Sequence, residues 1–319
     1  MQTLISYTDG IHAVDAMYVR PRLASIHLIV EKGRAAFFDT GTTHSLPQVL
    51  AALDSLGLTP ESVDYVIPSH VHLDHAGGSG AMMRAFPKAT LIVHPRGARH
   101  LVDPAKLVAG TVAVYGQQRT DELYGEIVPV DPARLVQASD GMVVDLAGRP
   151  LTLIDTPGHA KHHLCLHDAR TNAIFTGDMF GLSYRELDVA GKPFVFATTT
   201  PVHFDPPAMR RSLDRLLALK PKTAYLTHFS RVGAHVDDLE RLAADLWRLV
   251  EAHVEIARFA NWGEAADRHA RIVKALWQLL LEEKARQGWT LDDAALRALF
   301  DDDLELNAQG LEVWLDTTV

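Results

Sequence analysis

His70-Val71-His72-Leu73-Asp74-His75 decides the interpretation of this sequence, because it places four side chains that can bind a metal within six residues. The stretch comes just after the apolar run Val63–Ile67, whose pattern predicts a β-strand. Imidazole suits zinc, iron, nickel and copper, and a carboxylate extends the choice to manganese. A solvated, His-rich loop is the alternative. The Gly77-Gly78 pair that follows favours a tight turn instead, so the stretch predicts a metal site.

Three other turns repeat this arrangement, each placing a His or an Asp directly after an apolar strand. Taken alone each is a weak signal, because a single His is often a surface residue and an Asp often caps a helix. Their repetition carries the argument, since strand ends at one edge of a sheet meet in one place and active sites lie on the anchored loops there. The three turns are Thr156-Pro157-Gly158-His159, Thr176-Gly177-Asp178 and Leu226-Thr227-His228.

The hydrophobic pattern predicts an α/β protein in two parts. Apolar runs predict strands over residues 1–40 and 135–176, and helical spacing occurs at 46–56, 79–86 and 209–219. Residues 95–134 look loosely helical, and we expect them to cover one edge of the core. After Thr223–Leu226 the strands stop, and the pattern becomes helical, with a capping box predicted from Thr290 to Asp293. We therefore predict domains at 1–235 and 236–319, with two packed sheets covered by helices.

Composition narrows the possible functions. The 319 residues carry a formal net charge of −9, and no basic tract is visible, which argues against nucleic acid as a partner. A chain of this length can bury a sizeable core without disulfides, and its one cysteine, Cys165, excludes them within the chain. No long uncharged apolar run or signal peptide is evident. We expect a cytoplasmic protein with a small-molecule substrate and no membrane contact.

In their order and spacing, these motifs resemble those of the metallo-β-lactamase-fold hydrolases over roughly residues 10–230. Asp39-Thr40-Gly41, after an apolar strand, resembles the first signature of that family. The resemblance implies an αββα four-layer sandwich, here with a helical C-terminal extension, and the glyoxalase II-like branch is the one we favour. Residues 95–134 and 236–319 lie outside the minimal family pattern, so the resemblance does not define the substrate.

The resemblance also implies a ligand set for two divalent metal ions. His70, His72 and His159 would bind the first ion, and Asp74, His75 and His228 the second. Asp178 would bridge the two, and Asp39 would orient ligands through hydrogen bonds. Zinc is the expected metal, with iron or manganese as alternatives.

The function implied is hydrolysis of a small ester, thioester or lactone by water activated between two metals, with Asp74 and Asp178 as the catalytic candidates. A mononuclear iron persulfide dioxygenase, which would use His70, His159 and Asp178, is one alternative. A phosphodiester or phosphotriester hydrolase is another. Flavin-linked diiron reductases of this fold carry Glu where His72 stands, which disfavours that reading.

For several other residues we weigh a structural or surface role against a role in the site. His162 and His163 are expected to be solvent-facing strand residues, and Cys165 a buried small hydrophobe. His94 and His203 have two possible roles, either lining the site or a structural or surface position. Packing is favoured over a pocket role for Tyr115, Tyr124 and Phe180. The five tryptophans, all in the tail, predict a homodimer interface: Trp247, Trp262, Trp277, Trp289 and Trp314.

Overall fold

Two β-sheets pack face to face, and helices cover both outer faces, which confirms the predicted four-layer αββα sandwich with helices at its C-terminus. The computed structural model describes residues 3–262 and 265–318. Between the sheets lies a core of side chains such as Phe38, Leu153 and Phe175, all of them fully buried. The residues at the edge of this core carry the candidate site.

The first sheet follows chain order, from β1 to β7. Its first four strands are joined as antiparallel neighbours, and β4 to β7 run parallel. The strands are β1 (Leu4–Ser6), β2 (Ile11–Asp15), β3 (Ser25–Glu31), β4 (Arg34–Phe38), β5 (Val63–Ile67), β6 (Thr90–Val93) and β7 (Leu135–Gln137).

The second sheet has the order β13-β12-β11-β10-β9-β8, with β11 and β12 as its parallel pair. Parallel neighbours place their carboxyl ends at one edge of a sheet, so β4 with β5, and β11 with β12, each present two adjacent turns there. The strands are β8 (Val143–Leu146), β9 (Arg149–Asp155), β10 (Leu164–Asp168), β11 (Ala173–Gly177), β12 (Thr223–Leu226) and β13 (Ser230–Val232).

Six helices accompany the first sheet along the chain. They include three in the segment that the sequence predicted only as loosely helical, where Pro104 precedes the second of the three rather than breaking it. The six are α1 (Leu46–Ser55), α2 (Leu73–Ala76), α3 (Ser79–Ala85), α4 (Pro95–Val102), α5 (Ala105–Tyr115) and α6 (Gln117–Tyr124).

The remaining helices form the layer on the second sheet. They are α7 (Pro206–Ala218), α8 (Val236–Ala260), α9 (Arg268–Gln287) and α10 (Asp293–Thr318). Buried leucines of α8 share one hydrophobic cluster with buried side chains of the second sheet, such as Ile174. The last strand ends at Val232 and α8 begins at Val236, where the sequence predicts the boundary. The division into two domains stays a prediction.

One expectation about the tail needs correction, and the dimer interface predicted there stays a prediction. The predicted capping box at Thr290 is wrong: α10 begins at Asp293, and the Asp292 carboxylate accepts the Ala295 amide at 2.8 Å, because it sits three residues before that exposed N–H. Trp277 and Trp289 are buried in the chain's own core, which weakens the argument for a dimer interface, whereas Trp262 is 81% exposed. Among the described residues, no helix combines the length and apolar character needed to cross a bilayer.

Candidate metal centre

The structure brings all seven predicted ligand residues to one edge of the sandwich. Five strands supply the turns on which they and Asp39 lie: β4, β5, β9, β11 and β12. The side chains fall into three overlapping groups whose ligand atoms lie within 4.8 Å of one another: His70, His72 and His159; His70, His75 and Asp178; and Asp74, His75 and His228.

The first of these groups, called the first triad here, consists of three imidazoles. The Nδ1 atom of His72 lies 3.3 Å from Nε2 of His159, and the His70 ring centre lies 4.4 Å from that of His72. Burial, together with neighbouring imidazoles, lowers the pKa of all three residues, that of His72 to about 3. Neutral imidazole is the form that binds a metal, so the triad is held ready for one.

The second triad combines a carboxylate with two imidazoles. Asp74 Oδ2 lies 3.4 Å from Nε2 of His75 and 3.5 Å from Nε2 of His228. Burial alone would lower the pKa of His228, but the Asp178 charge and the Asp74 hydrogen bond raise it to about 9. Burial would likewise lower the pKa of His75, but the charges of Asp178, Asp74 and Asp39 raise it well above its usual value. Both imidazoles thus experience a strongly negative potential, in which a divalent cation is stabilised as a proton would be.

Asp178 lies between the two triads. Its Oδ1 atom is 3.4 Å from Nε2 of His75 and 3.5 Å from Nε2 of His228, while its Oδ2 atom is 3.4 Å from Nε2 of His159. Burial would raise the pKa of this carboxyl, but the histidine charges hold it well below its usual range. One carboxylate therefore faces ligands of both groups, as a bridging residue must.

Asp39 orients the second triad from behind. Its carboxylate lies 2.9 Å from Nδ1 of His75, and it accepts hydrogen bonds from the Ser69 amide at 2.6 Å and the Thr227 hydroxyl at 2.5 Å. Because Nδ1 of His75 faces this carboxylate, its Nε2 lone pair is directed into the site. This is the role the family resemblance implies for Asp39. Ser69 and Thr227 were not predicted, although each stands directly beside a ligand in the sequence.

His228 and His163 show the same kind of support. Nδ1 of His228 lies 2.9 Å from the Leu23 carbonyl, which turns Nε2 towards Asp74. His163 is fully buried; its Nδ1 lies 2.9 Å from the Thr156 hydroxyl, and its Nε2 accepts the Asp178 amide at 3.3 Å. The prediction that His162 and His163 face solvent is wrong, since both precede β10 and turn inward beside the ligands.

Three ligand atoms in this cluster are buried without a hydrogen-bond partner: Nε2 of His70, Nε2 of His75 and Oδ1 of Asp178. Leaving a buried polar atom unpaired costs about 1–3 kcal/mol, so three together at one point need a reason. The donor set, imidazole nitrogen with carboxylate oxygen, suits zinc, iron and manganese. Bound divalent cations would pair all three atoms, and the residues present therefore fit such ions.

The other residues considered from the sequence have clear positions. Cys165 and Phe180 are fully buried in the core, as predicted. His94 is buried, caps α4 by accepting the Arg96 amide at 3.0 Å, and contacts Asp155 at 3.2 Å. The ring centre of His203 lies 5.6 Å from that of His162, so His203 neighbours His162 and is not one of the residues of the first triad.

Comparison with known proteins agrees with this geometry. The family model described as "Metallo-beta-lactamase superfamily" matches residues 19–228. A metallo-beta-lactamase fold-containing protein of Sulfurisphaera tokodaii is 27% identical over 71% of this chain and 81% of its own length. The crystal structure of an archaeal superfamily protein from Sulfolobus tokodaii superposes with a TM-score of 0.64 at 22% identity, covering 96% of this chain and 99% of that one.

Two curated relatives carry the names of enzymes. An acyl-coenzyme A thioesterase of Gallus gallus is 30% identical over 52% of this chain and 60% of its own length. A hydroxyacylglutathione hydrolase of Rhizobium meliloti is 25% identical over 61% of each chain. This chain thus matches about three fifths of the length of both.

Proposed function

Since the chain belongs to the metallo-beta-lactamase superfamily, we propose that it is a hydrolase that cleaves an acyl thioester at a pair of divalent cations. The observation that carries the proposal is the position of Asp178, whose two oxygens face His159 of the first triad and His75 of the second. A site for one cation needs no such shared carboxylate between two complete ligand groups.

Two divalent cations held by the two triads would lower the pKa of a bound water and polarise a carbonyl oxygen. The chain's own residues then have defined tasks. Asp178 and Asp74 present carboxylate oxygens at the shared position, where they orient the water and accept its hydrogen bonds. The Asp74 side chain is 21% exposed and that of Asp178 only 6%, so Asp74 is the one that exchanges protons with solvent.

Thioesters are the substrate class favoured by the named relatives. Acyl-coenzyme A and hydroxyacylglutathione both carry an acyl group on a thiol. An aromatic wall beside the second triad is consistent with an acyl group there. The Tyr18 hydroxyl donates to that of Tyr124 at 3.0 Å, the two rings stack at 5.8 Å, and the charge of Asp74 contributes to raising the pKa of both phenols.

The intact second triad argues against the mononuclear iron alternative, which would use only His70, His159 and Asp178. Asp74, His75 and His228 would then form a buried group of ligands without a task, at a cost in desolvation. The net charge of −9 argues against a long phosphodiester such as nucleic acid.

Release of free thiol tests the proposal. Protein loaded with zinc, manganese or iron is mixed with acyl thioesters, a lactone and a phosphodiester, and hydrolysis is followed optically. We expect thioester cleavage that Asp178→Asn abolishes. Asp214→Asn, an exposed carboxylate on α7 paired with Arg210, is the matched control and should keep full activity. Oxygen uptake with a persulfide, in protein inert towards every thioester, would refute the proposal.

Location and assembly remain proposals: a cytoplasmic enzyme that forms a homodimer. The exposed pair Phe259 and Trp262, whose ring centres lie 5.0 Å apart, supports the second of these. Light scattering at micromolar concentration would give the mass of two chains, and Trp262→Ser would reduce it; a monomer for the unaltered protein would refute the dimer.

A further inference from the structure

A second group of histidines extends outward from the first triad. The His162 ring centre lies 6.1 Å from that of His72 and 5.6 Å from that of His203. A hydrogen bond fixes the His162 ring, because its Nδ1 atom accepts the Val71 amide at 3.4 Å. His203 is therefore one ring farther from the first triad than His162 is.

Basic side chains surround His203, and we name this group the basic rim: Arg96, Arg99, His100, Lys161 and His203. Lys161 follows the ligand His159 by two residues, while Arg96, Arg99 and His100 lie on α4. Lys161 is bonded to His162, whose ring lies 5.6 Å from that of His203, and Gly97 of α4 packs against His162. In keeping with this placement, burial and then the charges of Lys161, His159, Arg96 and His100 lower the pKa of His203. The rim is thus one electrostatic unit drawn from three segments of chain.

Close packing fixes α4 against the metal-binding loop. A Cβ atom at Gly97 would lie 2.8 Å from Cγ1 of Val71 and 3.8 Å from Cβ of His162. Only a residue without a side chain permits this approach. The first turn of α4, and Arg96 with it, is consequently held at a set distance from the first triad.

The rim's cations have no acidic partners. Within residues 3–262 and 265–318, the ion pairs that form do not include Arg96, Arg99 or Lys161. The three carboxylates near the rim in the chain are already engaged: Asp103 accepts the Ala105 amide at 3.2 Å, Asp155 contacts His94 at 3.2 Å, and Asp205 accepts the Ala208 amide at 2.9 Å. Unpaired positive side chains beside the site create a local positive potential that attracts anions, even though the whole chain carries a net charge of −9.

His203 supplies a second, independent observation. Its Nδ1 atom is buried, yet it has no hydrogen-bond partner. A shift of this half-buried ring would bring the nitrogen to a ligand oxygen at the rim, a partner that the protein itself does not provide.

We propose that the basic rim binds the phosphate groups of the carrier thiol, so that the preferred substrates are acyl thioesters of a phosphorylated thiol. This inference rests on the proposed function. With the scissile carbonyl at the triads, the acyl group extends towards Tyr18 and Tyr124, and the carrier extends past His162 to Lys161 and Arg96. Arginine and lysine together suit phosphate, the first through its planar fork and the second as a compact charge.

Two thioesters with the same acyl group separate the rim from the reaction. Butyryl-coenzyme A carries phosphates, and butyryl-pantetheine presents the same thiol end without them. In the double variant Arg96→Gln with Lys161→Gln we expect KM for the first to rise about tenfold, because two charge-assisted contacts are lost at an exposed surface. Its kcat, and both constants for butyryl-pantetheine, should change less than about twofold. Added salt should remove the unaltered protein's preference for the phosphorylated substrate.

The double variant Arg84→Gln with Lys88→Gln is the matched control, because both residues are exposed before β6, at the end opposite to α4, and their loss removes the same two positive charges. It should leave both KM values unchanged. If the two thioesters have equal KM values and the double variant of the rim leaves both unchanged, the proposal that the basic rim binds phosphate is wrong, while the thioesterase proposal stands. No cleavage of either substrate would overturn the proposed function itself. A larger effect of the double variant on a glutathione thioester than on butyryl-coenzyme A would overturn phosphate as the ligand.

Discussion

Asn307 on α10 connects the C-terminal helices to the metal centre, and its replacement should affect both stability and metal binding. Its carboxamide oxygen accepts the Thr199 amide at 2.6 Å, and its nitrogen donates to the Ala197 carbonyl at 3.1 Å. Thr198, between them, donates its hydroxyl to the Asp178 carbonyl at 3.1 Å. The tail therefore holds in place the loop that contacts Asp178.

Asn307→Leu keeps the side-chain volume but removes these two hydrogen bonds, together with the one that the Thr199 hydroxyl donates to the same oxygen at 3.2 Å. Ala197 and Thr199 are fully buried, so the carbonyl and the amide left behind have no water to pair with. An unsatisfied buried group costs about 1–3 kcal/mol, and two of them lower the free energy of unfolding by about 2–6 kcal/mol. A looser loop also lets Asp178 move, so the affinity for the metals falls as well.

Urea unfolding followed by circular dichroism measures the first effect, and metal retention after dialysis against a chelator measures the second. Gln309→Leu is the matched control, because Gln309 lies on the same helix and donates to Glu305 in an exposed hydrogen bond, and it should cost less than about 0.5 kcal/mol. If Asn307→Leu matches that control in both measurements, the tail does not support the site and the reasoning fails.

Three further predictions follow from buried groups. Asp39→Asn replaces one carboxylate oxygen by an amide nitrogen, which leaves either the Ser69 amide or both His75 and Thr227 without an acceptor. Metal affinity should therefore fall about 10–100-fold in a chelator competition, whereas Asp54→Asn on the exposed face of α1 should change nothing. Burial raises the pKa of the Cys165 thiol to about 12, so a thiol reagent should label the protein only after denaturation, and rapid labelling of the folded chain would contradict its assigned place. Burial lowers the pKa of His253 to about 3, so between pH 6.5 and pH 3 its imidazole binds a proton only in the unfolded chain. His253 therefore lowers the free energy of unfolding by about 3 kcal/mol as the pH falls from 6.5 to 4. His253→Gln should reduce the measured pH dependence of stability by that amount.

The fold and the clustering of the candidate ligands could be predicted because they depend on local patterns. A strand that ends in a turn with a His or an Asp is visible within ten residues, and its repetition at His70, His159, Asp178 and His228 implies a common edge. Asp39 followed from the family resemblance. In each case the information lies in residues that are neighbours in the chain.

The errors arose where tertiary packing decides. His163 and Leu164 both read as strand, but only Leu164 belongs to β10, while His163 turns inward to the Asp178 amide. Asn307 is 108 residues away from Thr199 in the chain, so nothing in the sequence around either residue indicates that they are partners. The basic rim is likewise assembled from three separate segments, and the overall charge of −9 conceals it.

The central claim is that Asp178 joins two cation sites, and metal content tests it most directly. Plasma mass spectrometry of freshly purified protein should find two zinc or manganese ions per chain, both of them lost in Asp178→Ala and retained in Asp214→Asn. One iron per chain, with the second triad empty and unaffected by Asp178→Ala, would contradict the account.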